Sequence, residues 1–166
     1  MKNSGFRDRM SVMKILLFLL LALPAYPQVK VNYDKFKDQT IITSDGAHIT
    51  PSLRMVVKAL HKGTHADDVQ YFLLFQSFGK EWKYLKNHGL IFLADGDRIE
   101  FGNGWHDGKV SSSRYVNVEE VMTYRISKED LERFSNSSSL ELKLGFTEAK
   151  LGERDKKGLK EMLEYK

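Results

Sequence analysis

The chain has 166 residues, no cysteine and a formal net charge of +4. Without cysteine it can form no disulfide, no thiolate metal site and no cysteine nucleophile, so its own core has to stabilise the fold. Residues 1–25 hold four basic side chains and one acidic one, which leaves 22 basic and 21 acidic residues in the remainder. This nearly neutral remainder argues against a nucleic-acid-binding protein.

The N-terminal segment has the organisation of a secretory signal peptide. Lys14 and three earlier basic residues precede the apolar run ILLFLLLAL, which ends at Pro24 and Ala25. The run is shorter than the ~20 apolar residues of a membrane-spanning helix, and a basic region, a short apolar core and a small residue are typical of a signal peptide. We therefore expect cleavage after Ala25, a secreted or periplasmic location, and no membrane span in the mature protein.

Residues 26–166 are predicted to form a single, mainly β domain, since no repeat, low-complexity tract or linker interrupts them. Their commonest pattern is an alternation of apolar and polar residues between clusters of Gly, Asn and Asp, which is typical of strands. Strands are predicted over residues 40–43, 53–60, 69–78, 121–126 and 140–144; residues 53–60 could also form a helix, and the preceding Pro51 and the pair Val56-Val57 favour the strand. The third, VQYFLLFQSF, is apolar on both faces in its middle, which predicts a central strand covered on both sides.

The segment IFLADGDRIEF predicts a β-hairpin. Its central Asp-Gly, residues 95–96, suits a type I′ turn, where both residues need positive φ. A two-residue turn at this point places Leu90 opposite Phe101 and Phe92 opposite Ile99. All four apolar side chains then lie on one face of the hairpin.

Two helices are predicted near the C-terminus. In SKED, Ser127 precedes Asp130 by three residues, which is a capping-box-like helix start, and Leu131 and Phe134 supply an apolar edge. The Leu, Met and Leu of residues 159–163 follow the i, i+3, i+4 spacing of an amphipathic helix that lies on a sheet. The whole pattern predicts a mainly β fold: an antiparallel β-sandwich or open barrel with one short helix and a C-terminal amphipathic helix.

This layout resembles that of uncharacterised secreted bacterial β-sandwich domains. The similarity lies in the first strand after DKFKDQT and in the order strand, short helix, strand, terminal helix from Val121 onward. It implies the fold class and an extracytoplasmic location. It brings no catalytic residue with it.

The stretch HKGTHADD, residues 61–68, is the candidate metal site. His61, His65, Asp67 and Asp68 are ligand types suited to zinc, which needs three or four ligands at about 2 Å. An internal glycine and the predicted strands on either side indicate a loop. Such a loop could wrap a metal, the one cofactor that the sequence suggests, or could be a solvated connection rich in turn-forming residues. The plain loop is the favoured interpretation.

Two aromatic segments are candidate ligand surfaces. GNGWHDGK, residues 102–109, predicts a glycine-rich mobile loop that presents Trp105 and His106, and an exposed tryptophan can stack on a sugar or anchor a protein. The same tryptophan could instead cover the open end of a sandwich. GKEWKYLKNHG adds Trp82 and Tyr84, which are interpreted either as core residues or as part of a ligand surface shared with Trp105.

Two functions stay open. No G-x-S-x-G elbow and no H-E-x-x-H zinc motif occurs in the chain. The favoured function is a non-catalytic binding or accessory module for a protein, a glycan or a small ligand. The alternative is a small metal-dependent hydrolase that uses the His61–His65 loop. Convergence of these histidines with His106 would favour the hydrolase, and scattered histidines beside exposed aromatic side chains would favour the binding module.

Overall fold

The computed structural model describes residues 29–66, 68–112 and 116–165. The expected signal peptide lies outside these ranges. Within them the chain forms two antiparallel sheets and two helices. The prediction of a mainly β fold is confirmed.

Seven strands form the larger sheet: β1 (Lys30–Asp34), β2 (Gln39–Thr43), β3 (Ala47–Thr50), β4 (Leu53–Lys62), β5 (Gln70–Gly79), β8 (Trp105–Ser112) and β9 (Val116–Ile126). Their order is β1-β2-β4-β5-β9-β8, and β3 also pairs with β4. The central position predicted for residues 69–78 is confirmed, because β5 pairs with both β4 and β9. The predicted coverage of both its faces is wrong, because alternate residues from Leu73 are buried on one face, whereas those of the other face are only half-buried and Phe78 is exposed.

Four strands form the smaller sheet: β6 (Gly89–Ala94), β7 (Asp97–Asn103), β10 (Leu140–Leu144) and β11 (Thr147–Leu151). Their order is β11-β10-β6-β7. Neither sheet closes on itself: the larger one ends at β1 and β8, and the smaller one ends at β11 and β7.

The two helices are α1 (Lys128–Asn136) and α2 (Glu153–Glu164). The predicted start of α1 is confirmed, because the hydroxyl of Ser127 accepts the backbone N–H of Asp130. The apolar stripe of α2 is also confirmed, with Leu159 and Met162 buried. Among the described residues, no helix has the length and hydropathy needed to cross a membrane.

Alternate residues of both sheets contribute to one hydrophobic core. Phe75 and Met122 come from the larger sheet, Phe92 and Leu142 from the smaller one, and Phe134 from α1. The rings of Phe92 and Phe134 are stacked with their centroids 4.3 Å apart. This period of two is the alternation from which the strands were predicted.

The β6–β7 hairpin has the predicted turn. Asp95 has a φ of 52° and Gly96 a φ of 92°, as a type I′ turn requires. Phe92 faces Ile99 in the predicted register.

The register at the far end of this hairpin differs from the prediction. Leu90 faces Gly102 and not Phe101, because the register shifts beside Leu90. Gly102 has a φ of 65°, the left-handed conformation that one class of β-bulge places at a glycine. Phe101 nevertheless packs edge-on against Phe92, with centroids 6.2 Å apart.

Two segments predicted as loops are partly strands. β4 continues through His61 and Lys62, so the connection to β5 is shorter than expected. GNGWHDGK spans the end of β7 and half of β8, with Gly104 between them. Pairing of β8 with β9 overrides the weak strand preference of its Gly and Asp residues.

Candidate functional site

The corner between β7 and β8 carries the predicted ligand residues. β7 is an edge strand of the smaller sheet, β8 is an edge strand of the larger one, and Gly104 joins them. A Cβ atom on Gly104 would lie 2.5 Å from the carbonyl oxygen of Thr123. Glycine therefore allows the chain to pass against β9 as it moves from one sheet to the other.

Trp105 and His106 point to opposite faces of β8, as neighbours in a strand do. His106 lies opposite Met122, a core residue, and faces inward. Trp105 lies opposite Thr123 on the outer face, and its side chain is 80% exposed. The predicted loop that presents both side chains together is therefore replaced by a strand that separates them.

On the inner side, His106 belongs to a cluster with Glu120, His88 and Trp82. Nε2 of His106 lies 3.2 Å from Oε1 of Glu120, whose side chain is almost fully buried. The His106 ring centroid is 5.2 Å from that of His88 and 6.1 Å from that of Trp82. An ionised carboxylate can only accept, so with Glu120 in that form the N–H of this contact belongs to Nε2 of His106.

Glu120 also holds the connection between the two sheets in place. Its Oε2 accepts the backbone N–H of Lys83 at 2.8 Å, and its Oε1 accepts that of Tyr84 at 2.9 Å. A buried carboxylate is stabilised when several N–H donors surround it. The segment between β5 and β6 is therefore tied to the inner face of β9 by one side chain.

His88 and Tyr124 complete the inner side of this corner. Nδ1 of His88 lies 2.9 Å from the carbonyl oxygen of Tyr84, and its Nε2 lies 3.1 Å from that of Gly104. A neutral imidazole has one N–H and can donate to only one of them. The hydroxyl of Tyr124 donates to the carbonyl oxygen of His88. Burial raises the pKa of Tyr124, against a smaller opposing effect of a backbone hydrogen bond from Gly104.

The two candidate aromatic residues before β6 differ in exposure. Tyr84 is buried, and its hydroxyl lies 2.7 Å from Oγ1 of Thr147. Burial is the main cause that raises the pKa of Tyr84. Trp82 is 39% exposed and lies over Gly108, where a Cβ atom would come within 2.4 Å of the indole. Tyr84 thus belongs to the core, and Trp82 covers the edge of the inner cluster.

The candidate metal ligands are distributed over a strand end and the turn that follows it. His61 is buried at the end of β4, and its Nδ1 lies 3.2 Å from the carbonyl oxygen of Lys62. His65 and Asp68 are exposed, and Asp67 lies outside the described residues. Within the described ranges, no group of three His, Asp or Glu side chains is placed to hold a metal ion. The metal site stays a prediction.

The histidines of the two candidate segments are far apart. His106 is opposite Met122, which is opposite Phe75. Phe75 is opposite Met55, and His61 lies six residues further along β4. At about 3.3 Å per residue and 4.8 Å per strand, the two histidines are separated by about 20 Å along the strands and about 14 Å across them.

Sequence reasoning missed Glu120 as a site residue. The signal that could have found it is its parity on β9, because Val118, Met122 and Tyr124 are all buried on the same face. A carboxylate in an apolar row needs a buried partner. That partner, His106, could not be identified without the register of β8 against β9.

Comparisons with protein-family models, curated proteins and solved structures find no match for this chain. Its function has to be inferred from its own residues.

Proposed function

We propose that the protein is an exported, non-catalytic module that binds a glycan on the outer face of its larger sheet, with Trp105 as the main contact. The observation that carries this proposal is the placement of Trp105, which is largely exposed on a strand paired along its length with β9. An indole held on a strand can stack on the apolar face of a sugar ring at a low cost in conformational entropy.

Polar groups beside Trp105 suit a ligand rich in hydroxyl groups. Thr123 lies opposite the tryptophan, and Asp107 follows it two residues along the same face of β8. Gln76 lies one strand beyond Val121, the partner of Asp107. Ligand sites combine an apolar or aromatic surface with a few polar groups that orient the ligand.

The proposed scaffold is an open β-sandwich. In its support, both sheets contribute side chains to one core, and each sheet ends in two edge strands. The outer face of each sheet in such a scaffold meets solvent, where a ligand can reach it.

The hydrolase alternative has less support. His61 and His65 are not joined by His106, which lies about 20 Å away along the strands. A chelator test addresses this alternative directly, because a bound metal would stabilise the folded state. We expect EDTA to leave the melting temperature unchanged, and a loss of several degrees would revive the hydrolase.

The two tryptophans of the chain allow a direct test of glycan binding. Trp82→Phe leaves Trp105 as the sole indole, and we expect its emission to change when dextran, laminarin, xylan, alginate or peptidoglycan fragments are titrated in. Trp105→Ala removes this reporter, so its affinity is measured by isothermal titration calorimetry; it should bind the responding polysaccharide at least tenfold more weakly, roughly the effect of removing a central aromatic contact.

Phe146→Ala is the matched control, because Phe146 is 82% exposed on the turn between β10 and β11 of the other sheet. We expect this variant to bind as the parent does. Equal losses in the two variants, or no response of Trp105 to any member of the panel, would contradict the proposed function.

Export is tested separately. Secreted or periplasmic material from the native host should begin close to Tyr26, as N-terminal sequencing would show. An unprocessed cytoplasmic product would contradict the exported location and leave the glycan test standing.

A further inference from the structure

One line of residues crosses five strands of the larger sheet. Strand pairing places Lys30 opposite Thr43 and Thr43 opposite Lys58. The line continues from Lys58 to Phe72 and from Phe72 to Arg125. We call Lys30, Lys58 and Arg125 the basic row.

The basic row lies on the outer face of the sheet. Val57 and Tyr124 precede Lys58 and Arg125 in their strands and are buried in the core, so the two cations point the other way. Two strand spacings separate each cation of the row from the next. This places them about 10 Å apart across the sheet.

The three cations of the basic row form no salt bridge with any described residue, whereas two acidic side chains beside this face are already paired. Asp45 contacts Arg54 at 3.3 Å, and Glu119 contacts Lys109 at 2.8 Å. The basic row therefore keeps its charge available for an anionic ligand.

A groove of about 300 Å³ adjoins the basic row. Its lining includes Lys30 and Lys58 of the row, Thr43 and Gln76, and the ion pair of Arg54 with Asp45. The two ammonium groups can bind carboxylates, and the hydroxyl and amide groups suit the hydroxyls of a sugar. The groove thus combines the groups that an acidic sugar requires.

The basic row also leads to Trp105. Arg125 lies two residues from Thr123 on β9, and Thr123 is opposite Trp105. Diagonal neighbours on one face of an antiparallel pair are about 7–8 Å apart. A single ligand can therefore contact the guanidinium of Arg125 and the exposed indole.

The outer face of the smaller sheet is different, although it carries a larger groove of about 560 Å³. Two of the cations that line it are paired in place: Arg98 contacts Glu100 at 2.6 Å, and Lys143 contacts Glu148 at 2.6 Å. Their charges are largely satisfied within the sheet. The cations that stay available to a ligand are therefore those of the basic row on the larger sheet.

We propose that the ligand of the larger sheet is an acidic polysaccharide, with its carboxylates on the basic row and one of its sugar rings stacked on Trp105. This inference rests on the proposed function, because it assigns a chemical class to the same glycan. A single-stranded nucleic acid fits less well, since proteins that bind it stack successive bases on several aromatic side chains. The described part of this face exposes Trp105 strongly and Phe78 by half, and these two rings lie on strands that are not neighbours.

The test compares the binding of an alginate oligosaccharide, a polyuronate, with that of neutral dextran by isothermal titration calorimetry. We expect alginate binding that weakens as salt is raised, because exposed charges are screened. Combining Lys30→Gln, Lys58→Gln and Arg125→Gln should lower the alginate affinity by about tenfold or more, summed over three charge contacts at the surface. Urea unfolding would verify that this variant is folded.

The matched control combines Arg98→Gln, Lys143→Gln and Lys150→Gln, which remove the same net charge from the smaller sheet. We expect it to bind alginate within about twofold of the parent, as loss of remote surface charge has a small effect. Equal losses in both triple variants would overturn the inference, because they would indicate unspecific attraction.

The remaining outcomes separate this inference from the proposed function. If dextran binds as tightly as alginate and Trp105→Ala abolishes both, the proposed function stands and the acidic ligand is wrong. If oligothymidylate or phosphatidylglycerol vesicles bind more tightly than alginate, the ligand class is wrong. If no polysaccharide binds, both proposals fall.

Discussion

Glu120 on β9 and His106 on β8 form a hydrogen bond of 3.2 Å on the inner face of the larger sheet. Glu120 also accepts the backbone N–H groups of Lys83 and Tyr84 from the segment that leads to the smaller sheet. One buried carboxylate thus joins an edge strand, its neighbour and the connection between the sheets. Replacing Glu120 should therefore lower the free energy of unfolding more than replacing Glu119, the other acidic residue of β9.

We expect Glu120→Ala to lower the free energy of unfolding by about 3–5 kcal/mol, because it leaves three donors without their buried acceptor. Glu120→Gln keeps one carbonyl acceptor and should cost less, about 1–3 kcal/mol. Glu119→Ala is the control, since the salt bridge that Glu119 forms among the described residues is with the exposed Lys109. Urea unfolding measures all three, and a Glu120→Ala variant as stable as Glu119→Ala would show that the buried contacts contribute little.

The β6–β7 hairpin provides a second prediction. Phe92→Ala should cost about 3–5 kcal/mol, because the ring is buried against Phe134. Gly96→Val should cost about 1–2 kcal/mol from backbone strain. Apart from its chain neighbours, no residue lies within 4 Å of a Cβ at Gly96, so the expected cost comes from the left-handed backbone conformation.

Arg98→Ala is the control for this hairpin, because Arg98 is exposed and pairs with the exposed Glu100. It should stay within about 0.5 kcal/mol of the parent. A Phe92→Ala variant as mild as Arg98→Ala in urea unfolding would contradict the assigned core face.

The corner at Gly104 is the third prediction. A methyl group there would meet the carbonyl oxygen of Thr123 and the ring of Tyr124, which cannot both move aside. We expect Gly104→Ala to cost about 1–3 kcal/mol, as overpacking does. In Gly89→Ala the nearest atom, Oδ1 of Asn103, would be 3.6 Å away, so this control should be much milder. Equal melting temperatures for the two variants would be inconsistent with the close approach.

The buried hydroxyl of Tyr124 should make the free energy of unfolding fall as the pH rises in the alkaline range. Burial raises the pKa of its hydroxyl, so the folded state retains a proton that the unfolded chain releases near the ordinary value of about 10. The contribution of Tyr124 is therefore fully present below about pH 10 and is lost as the pH rises further.

Tyr124→Phe removes this titration together with the hydrogen bond to the carbonyl oxygen of His88. We expect the variant to be less stable than the parent by about 1 kcal/mol at pH 8, with the difference shrinking above pH 10. Urea unfolding at pH 8, 9, 10 and 11 measures this. Parallel pH profiles of parent and variant would contradict the prediction.

Much of the fold could be predicted from local patterns. Alternation of apolar residues identified β10, an apolar middle identified β5, and the pair Val56-Val57 favoured a strand at β4. Ser127 identified the start of α1. The short strands β1, β3 and β11 were missed, since their pairing in the sheet and not their composition makes them strands. β8 was missed because Gly108 and Asp107 suggested a loop.

The sequence identified individual residues of the candidate site but not how they are arranged. Trp105 and His106 were chosen for their residue types, and both lie at the corner where the sheets meet. Their separation onto opposite faces follows from the strand that contains them. Glu120 was missed because its partner lies 14 residues away on another strand.

The sequence by itself determined the class of fold, the turn at residues 95–96, the N-cap of α1, the apolar faces of both helices, and the absence of cysteine chemistry. These depend on residues close together in the chain, where spacing and conformational preference act directly. Only the tertiary structure decided the bulge at Gly102, the burial of Glu120 and the alignment of Lys30, Lys58 and Arg125 in one row. These depend on the register between distant strands, and a shift of one residue would move each side chain to the opposite face of its sheet.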